Sequence, residues 1–169
     1  MKIVSVALIV TIFATTGGYL QAPTSNTLSP GDEEHCLALN IYHEARGEDY
    51  LSQLAVADVT MNRVKNSKFP NSVCEVITQA YTRVNWRGDV VPIKHKCQFS
   101  WYCDGVGDKP SPGTSWNNAL AIAKGNKYRG ITQGALFYHS NKVLPFWADS
   151  FIKLGSIGNH IFYIPPNEK

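Results

Sequence analysis

The sequence predicts an α+β domain that is mainly helical and carries a small antiparallel sheet near its carboxyl terminus. Two observations indicate this class. Helix-capping residues precede stretches with apolar side chains at four-residue spacing, as in Leu37, Ile41 and Ala45. Late in the chain, short runs rich in aromatic and β-branched residues replace that spacing, which is typical of strands. A helical body with a sheet beside it follows.

The first helix is expected to begin after Ser29, a capping residue that precedes Pro30 at the first helical position. Gly47 is expected to follow its end, since glycine is favoured just beyond the last turn of a helix. Glu44 then lies in the last turn. It is placed beside a chain reversal, where a cleft can open.

Two further helices are predicted in the first half of the chain. One spans residues 52–65, and its Asn62 either faces solvent or braces the 44–48 segment through hydrogen bonds. The next follows a capping box at residues 72–75 and runs to about Ala80.

The second half of the chain is predicted to begin with loops and to end with strands. Residues 81–112 contain many glycines and prolines, which favours loops. A fourth helix is predicted over residues 116–124. Strand composition returns at 135–139 and 160–164, and the residues between them are too many for a tight hairpin.

The composition fits one globular domain, which we place at residues 32–169. Of the 169 residues, 44% are apolar and 17% are charged, which is adequate for a buried core. The net charge of +3 is mild, and the sequence has no block of consecutive lysines and arginines of the kind that binds a phosphate backbone. We therefore expect no nucleic-acid partner. We also expect a monomer.

The amino terminus has the order of a secretory signal. Lys2 precedes an apolar run from Ile3 to Ala14, and small residues lead toward Ala22. Residues 1–22 are expected to be either a cleaved signal peptide or a retained anchor, and residues 23–31 a linker. Export to the periplasm, the cell envelope or the medium follows, with membrane contact only through this segment.

Four cysteines in an exported chain indicate disulfides. Their spacing lacks the paired C-x-x-C arrangement of structural zinc sites. Three pairings are possible from the sequence. We favour Cys36–Cys74, which would join two helices, together with Cys97–Cys103, which would close a short loop.

The segment Ile41-Tyr42-His43-Glu44-Ala45-Arg46-Gly47-Glu48 is the most informative for chemistry. It sets Glu44 beside aromatic and apolar neighbours and places Glu48 beyond the Arg46-Gly47 break. Such asymmetry can raise the pKa of one carboxyl group while the other stays ionised, as in glycosidases. A structural helix end rich in Glu and Arg is the alternative.

Other chemistries fit the sequence less well. His43 has no second histidine four residues on, so the H-E-x-x-H metallopeptidase pattern is absent. His139 and His160 could meet across paired strands, but no third ligand is recognisable, and we expect no metal or other cofactor. Neither a G-x-S-x-G elbow nor a phosphate-binding glycine loop occurs.

Four ordered motifs match one protein family. In chain order they are CLALNIYHEARGE, QLAVADVTMNRVKNSKFPNSVC, CQFSWYCDG and FYHSNKVLPFWADSFIKLGSIGNHIFY. On these motifs, which span roughly Cys36 to Tyr163, the chain resembles the SleB-type cell wall hydrolases, named for a spore cortex-lytic enzyme. The resemblance implies a lysozyme-like or transglycosylase-like domain that cleaves the glycan strands of peptidoglycan.

The resemblance also implies that Glu44 is the essential acid of a lytic transglycosylase. Glu44 would protonate the bond between N-acetylmuramic acid and N-acetylglucosamine, then act as base on the C6 hydroxyl, which closes a 1,6-anhydro ring. Glu48 is expected to brace the site by pairing with Arg46 or Arg63. The expected cleft-wall and supporting residues in the matching motifs are Gln98, Phe99, Ser100, Tyr138 and His139.

Three alternatives stay open at this point. They are a hydrolytic muramidase assisted by Glu48 or Asp104, an N-acetylmuramoyl-L-alanine amidase, and a disulfide-stabilised envelope-binding module without catalysis. The spore enzymes carry a separate wall-binding repeat domain, and we expect none here, so spore germination is not implied. The expected setting is a phage lysin that acts in the host periplasm, or a Gram-negative periplasmic wall enzyme.

Overall fold

The computed structural model describes residues 30–168 and confirms the predicted class, a mainly helical α+β fold with small antiparallel sheets. The helices within that range are α1 Pro30–Ala45, α2 Tyr50–Lys65, α3 Val73–Ile77 and α4 Thr114–Gly125. The strands are β1 Ala80–Val84, β2 Val90–Cys97, β3 Phe137–Ser140, β4 Ile152–Ile157 and β5 His160–Ile164. A short 3-10 turn, η1 Ser100–Cys103, follows β2 and borders the candidate site.

Helices α1 and α2 form the centre of the body. Helix α1 runs from Pro30 to Ala45, as its capping signals predict. Helix α2 begins after Asp49, whose side chain accepts a 2.8 Å hydrogen bond from the Ser52 backbone N–H. The buried core around them includes Leu37, Ile41, Leu54, Ala57, Val76, Ile77, Phe99, Trp101 and Ile122. Because this core buries one face of α1, the last turn of α1 is held in place.

A three-stranded sheet covers part of α2. Strand β5 lies between β3 and β4, and Tyr138 on β3 pairs with Phe162 on β5. Phe162 packs on Ala55 and Val59 of α2, so this face of the sheet is the buried one. The third strand, β4, is not predicted from the sequence, because its Gly155 and a register shift interrupt the alternation of a regular strand.

The prediction of loops over residues 81–112 is wrong for its first half, which forms an antiparallel hairpin of β1 and β2. The connecting turn is built by Asn85, whose side-chain oxygen accepts hydrogen bonds from two backbone N–H groups, and by Gly88 at φ 88°. Because β1 is mostly exposed and neither strand has a fully buried residue, they lack the alternation of apolar and polar residues that marks a half-buried strand.

Helix α3 is shorter than predicted. It ends at Ile77 instead of continuing to Ala80: Thr78 still bonds to the Cys74 carbonyl, but its backbone, at φ −96° and ψ 6°, leaves the helical conformation. Ala80 then enters β1. Helix α4 is slightly longer than its predicted range at both ends.

The four cysteines form two disulfides, Cys36–Cys74 and Cys97–Cys103, which is the pairing favoured by the sequence. The first joins α1 to α3 across 38 residues. The second links the end of β2 to η1 across six residues. It therefore anchors the base of the hairpin beside the turn that borders the candidate site.

Removing the long-range disulfide is expected to cost more stability than removing the short one. In the chain-entropy description, the Cys36–Cys74 bridge stabilises by about 4 kcal/mol and the Cys97–Cys103 bridge by about 2 kcal/mol, because the cost of closing a loop grows with its length. Urea unfolding of the two double-alanine variants measures both values. A larger loss for the Cys97–Cys103 variant would contradict this ranking.

Parts of the expected domain organisation lie outside the described residues. These are the signal or anchor at residues 1–22 and the linker as far as Ser29. Pro30 and Gly31, the last two residues of the expected linker, already belong to α1. Within residues 30–168, no helix combines the length and the apolar character needed to cross a membrane.

Candidate active site

Glu44 lies in the last turn of α1 and lines a pocket of about 380 Å³. The hydroxyl of Tyr138, on β3, donates a 2.9 Å hydrogen bond to Glu44 Oε2. The other lining residues come from the end of α1, from η1 and from the loop after it: Tyr42, His43, Arg46, Ser100, Trp101, Asp104, Val106, Gly107, Asp108, Lys109 and Ser111. A carboxyl group with a fixed orientation thus faces a largely polar cleft.

Aromatic and polar contacts hold the wall of this pocket. The rings of His43 and Trp101 stack with centroids 4.6 Å apart, and His43 Nε2 lies 3.0 Å from the carbonyl oxygen of Asp108. Trp101 Nε1 donates a 2.9 Å hydrogen bond to Asn40, which is fully buried in α1. These contacts tie η1 and the following loop to the helix that carries Glu44.

The surroundings of Glu44 favour its neutral form. Burial raises the pKa of its carboxyl group above the ordinary value of 4.5. The hydrogen bond from Tyr138 and the positive charge of Arg63 oppose this shift, because both stabilise the carboxylate. The carboxyl group is therefore disposed to hold a proton, and its ionised form also has partners nearby.

Arg63 is a buried cation next to Glu44 and Tyr138. Its side chain is only 4% exposed, and its Nε donates a 2.8 Å hydrogen bond to the carbonyl of Leu136, just before β3. The guanidinium carbon lies 5.3, 5.0 and 5.4 Å from the ring centroids of three aromatic residues: Phe69, Phe99 and Phe137. Burial lowers the pKa of Arg63, while the Tyr138 and Glu44 groups raise it.

Comparison with known proteins places the chain in a family. A sequence model described as cell wall hydrolase matches residues 47–163, well over half of the chain. The chain belongs to the cell wall hydrolase family. Glu44 lies just before the matched range, whereas Arg63, Ser100 and Tyr138 lie inside it.

Two solved structures share the fold of this family member. The catalytic domain of the Bacillus cereus SleB protein is 30% identical, with a TM-score of 0.57, and the match covers 88% of this chain and 99% of that one. The catalytic domain of the germination-specific lytic transglycosylase SleB from Bacillus anthracis is 29% identical, with a TM-score of 0.59 and coverages of 82% and 98%.

Curated relatives match over a shorter stretch. The spore cortex-lytic enzyme of Bacillus cereus is 50% identical over 50 residues, which are 28% of this chain and 19% of that enzyme. The Bacillus subtilis enzyme of the same name is also 50% identical over 50 residues, which are 16% of its length. The match thus spans less than a fifth of these relatives.

Of the residues expected at the site of this cell wall hydrolase, the structure brings four together. Tyr138 bonds to Glu44, and Arg46 and Ser100 line the same pocket. The Arg46 guanidinium lies over the ring of Tyr42, 5.0 Å from its centroid. These four residues come from the end of α1 and the residue after it, from η1 and from β3, so the site forms only when the sheet and the helical body are in contact.

Glu48 does not pair as expected. Its Oε2 accepts a 2.9 Å hydrogen bond from Asn159, in the turn between β4 and β5, and its carbonyl accepts one from Gln53. The Glu48 carboxylate therefore bonds to the β4–β5 turn, and not to Arg46 or Arg63 as expected. Glu48 is absent from the described lining of the Glu44 pocket.

Asn62 takes neither of the two predicted positions. Its amide donates hydrogen bonds to the Thr132 hydroxyl and to the Ala135 carbonyl, at 3.2 and 3.1 Å. It is partly buried and supports the chain that leads into β3. Asn62 thus positions the strand that carries Tyr138, and does not brace the 44–48 segment.

Two expected wall residues, which lie between the end of β2 and the start of η1, are not part of the Glu44 pocket. Phe99 is 2% exposed, and its ring packs against the guanidinium of Arg63. It is therefore a core residue that supports Arg63 and does not face the pocket. Gln98 is exposed and lines a different cavity, at the base of the β1–β2 hairpin. Neither contacts the Glu44 pocket.

His139 faces away from Glu44. It follows Tyr138 on β3, so its side chain points to the opposite face of the sheet, where its Nε2 lies 3.0 Å from the Tyr163 hydroxyl. His160 pairs with Ser140 and contacts the ring of Tyr138, on the other face. The two histidines therefore cannot share a ligand. Among the described residues, no three His, Cys, Asp or Glu side chains cluster as a metal site.

Proposed function

We propose that this chain cleaves the glycan strands of peptidoglycan as a lytic transglycosylase. The observation that carries the proposal is the Glu44 carboxyl group, whose pKa is raised by burial while Tyr138 and Arg63 stand ready to stabilise its charge. A group that must give up a proton and take one back in the same cycle needs both properties. The substrate is the bond between N-acetylmuramic acid and N-acetylglucosamine.

In the first step, neutral Glu44 donates its proton to the glycosidic oxygen. The bond from that oxygen to muramoyl C1 breaks, the N-acetylglucosamine hydroxyl leaves, and positive charge develops at C1. Glu44 becomes a carboxylate, which the Tyr138 hydroxyl and the Arg63 cation stabilise. Because these partners are already in place, the step needs no rearrangement of the site.

In the second step, the same carboxylate acts as the base. The muramoyl C6 hydroxyl attacks C1, and its proton passes to Glu44, which returns to the neutral form. The product is a 1,6-anhydro ring, and no water is consumed. One carboxyl group is enough for this cycle, so the proposal does not require Glu48, which bonds to Asn159.

The relatives support this choice of reaction. One of the two solved structures described above is the catalytic domain of a germination-specific lytic transglycosylase. The family description, cell wall hydrolase, agrees with the substrate class. The setting that we propose is outside the cytoplasm, where the two disulfides persist. Residues 1–22 would serve as the signal or anchor. One proposed origin of the chain is a phage lysin.

A hydrolytic muramidase is the second candidate, because one observation favours it. Asp104 lines the same pocket as Glu44 and is only partly exposed, so a second carboxylate is available there. Asp104 Oδ1 accepts a 2.6 Å hydrogen bond from the Val106 N–H, which fixes its position in the loop. In this mechanism Asp104 would assist attack by water.

Product masses distinguish these reactions. Digestion of purified peptidoglycan, followed by mass spectrometry, is expected to give anhydromuropeptides that are lighter by one water than the hydrolytic products. Reducing-end muropeptides alone would favour the muramidase and contradict the transglycosylase. Released peptides with intact glycan would identify an amidase instead, and binding without any product would identify an envelope-binding module.

Replacing Tyr138 by phenylalanine is expected to slow glycan cleavage about ten- to a hundredfold, because a hydrogen bond to a charged group contributes about 1.5–3 kcal/mol. Loss of this bond also raises the pKa of Glu44, since the bond favours the carboxylate. The limb of the pH profile on which activity falls as Glu44 ionises should therefore move to higher pH. Unchanged rate and pH profile would show that Tyr138 has no such role.

A further inference from the structure

A second cavity lies at the base of the β1–β2 hairpin. It has a volume of about 370 Å³, similar to the pocket at Glu44. It is lined by Gln79, Ala80, Tyr81, Lys96, Cys97 and Gln98. The reaction proposed above leaves this cavity without a role.

The cavity arises from a distortion of the hairpin. Ala80 pairs with Cys97, but Thr82 pairs with Pro92, so the residues between Pro92 and Cys97 outnumber those opposite them and bulge outward. His95 within the bulge has φ 60°, a conformation that costs non-glycine residues about 1 kcal/mol or more. A bulge of this kind turns side chains in a new direction, often next to a functional site.

The lining has a definite chemical character. Gln98 is exposed, so the carbonyl oxygen of its side-chain amide can accept a hydrogen bond from a ligand in the cavity. Lys96 is exposed and is the single charged residue of the lining, which contains no carboxylate. Tyr81 is 74% exposed and offers an apolar ring. A ligand that suits all three carries an N–H group, a negative charge and apolar carbon.

The two cavities adjoin each other. Gln98 lines the hairpin cavity and Ser100 lines the Glu44 pocket, so their Cα atoms are at most about 7 Å apart along the chain. Lys94 lies in the bulge, and its side chain lies close to Gly105: its Nζ is 3.8 Å from the position that a Cβ atom on Gly105 would occupy. Gly105 follows Asp104, which lines the Glu44 pocket, so the bulge borders the rim of that pocket.

We infer that the hairpin cavity binds the peptide stem of the muramoyl residue whose glycosidic bond is cleaved at Glu44. This inference rests on the proposed function. A stem peptide begins at the lactyl group of the muramoyl ring and carries amide N–H groups and free carboxylates. The side-chain carbonyl of Gln98 accepts an amide N–H, Lys96 binds a carboxylate, and the Tyr81 ring packs on the aliphatic carbons. The preferred substrate is then peptide-bearing glycan.

The test compares two preparations of soluble glycan strands from one sacculus, one with intact stems and one stripped of them by an amidase. The ratio of kcat/KM for the two substrates is the measured quantity. Lys96→Gln is expected to lower this ratio about fivefold, the upper range for an exposed ion pair, mainly through KM. Lys96→Glu, which repels the carboxylate, should lower the ratio further.

Arg87→Gln is the matched control. Arg87 lies in the turn of the same hairpin, over the ring of Trp86, and its loss removes the same charge far along the hairpin from the cavity. It should leave the ratio as in the wild type. An equal fall for Arg87→Gln and Lys96→Gln would indicate general charge attraction and overturn the inference, as would an unchanged ratio for both Lys96 variants.

A binding measurement separates this inference from the proposed function. In an NMR titration of the whole protein with the free stem tetrapeptide, the side-chain amide signals of Gln79 and Gln98 are expected to shift. Such shifts would support the cavity as a peptide site even if neither glycan substrate were cleaved. Absence of these shifts, or shifts with inorganic phosphate alone, would overturn the inference while leaving glycan cleavage by Glu44 intact.

Discussion

Glu44→Gln is expected to reduce cleavage of peptidoglycan by at least about a hundredfold, since general acid and base catalysis contributes about 10² to 10⁴ in rate. Glutamine has nearly the same shape as glutamic acid but cannot donate the proton that the leaving sugar requires. The Tyr138 hydroxyl can still donate its hydrogen bond to the amide oxygen, so the site should keep its geometry. A turbidity assay on purified cell walls measures the loss.

The stability of the same variant provides its control. Because burial raises the pKa of folded Glu44, its carboxyl group favours folding below the unfolded pKa, and this contribution is lost as pH rises through the folded pKa. Glutamine does not titrate. Glu44→Gln should therefore match the wild type in stability at acidic pH and exceed it at pH values above the folded pKa. Thermal unfolding at both pH values checks this.

Arg63→Met is expected to affect both stability and activity. Methionine can fill the space among Phe69, Phe99 and Phe137, but the Leu136 carbonyl loses its hydrogen bond, which costs about 1–3 kcal/mol. Loss of the cation also removes a charge that favours ionised Glu44. We expect glycan cleavage to fall about ten- to a hundredfold, since the carboxylate formed in the first step is less stable.

A pH profile distinguishes this electrostatic role from a structural one. Without Arg63 the pKa of Glu44 rises further, so the limb on which activity falls with increasing pH should move to higher pH. Arg63→Lys is the matched control, because it keeps the charge but loses the planar donor group. Arg63→Lys should be less stable than the wild type because the hydrogen bond to the Leu136 carbonyl is lost. It should shift the high-pH limb of the activity profile less than Arg63→Met does. Identical pH profiles for the two variants would contradict the role proposed for the charge.

The sequence was sufficient for those features that depend on local signals. The start of α1 at Pro30 follows from capping chemistry, and the position of Glu44 in its last turn follows from the glycine just beyond it. The buried cation has a weaker signal. Arg63 follows Ala55 and Val59 at four-residue spacing, which puts it on the buried stripe of α2, but spacing alone does not show that it meets Glu44.

Features that depend on pairing between distant segments could not be predicted in this way. Tyr138 and His139 are neighbours on β3, and only the register with β5 decides which of them faces Glu44. The hairpin of β1 and β2 is exposed on most of its length, so no apolar pattern marks its strands. Gln98 belongs to a separate cavity because of the irregular pairing within that hairpin.

The pKa of the Glu44 carboxyl group tests the central claim most directly. Protein labelled with ¹³C at the glutamate carboxyl carbons can be titrated by NMR, and the Glu44 signal is the one that disappears in Glu44→Gln. The structure predicts an inflection above the ordinary value of 4.5, because burial outweighs the influence of Tyr138 and Arg63. An inflection at or below 4.5 would contradict the assignment of Glu44 as the acid that protonates the glycan.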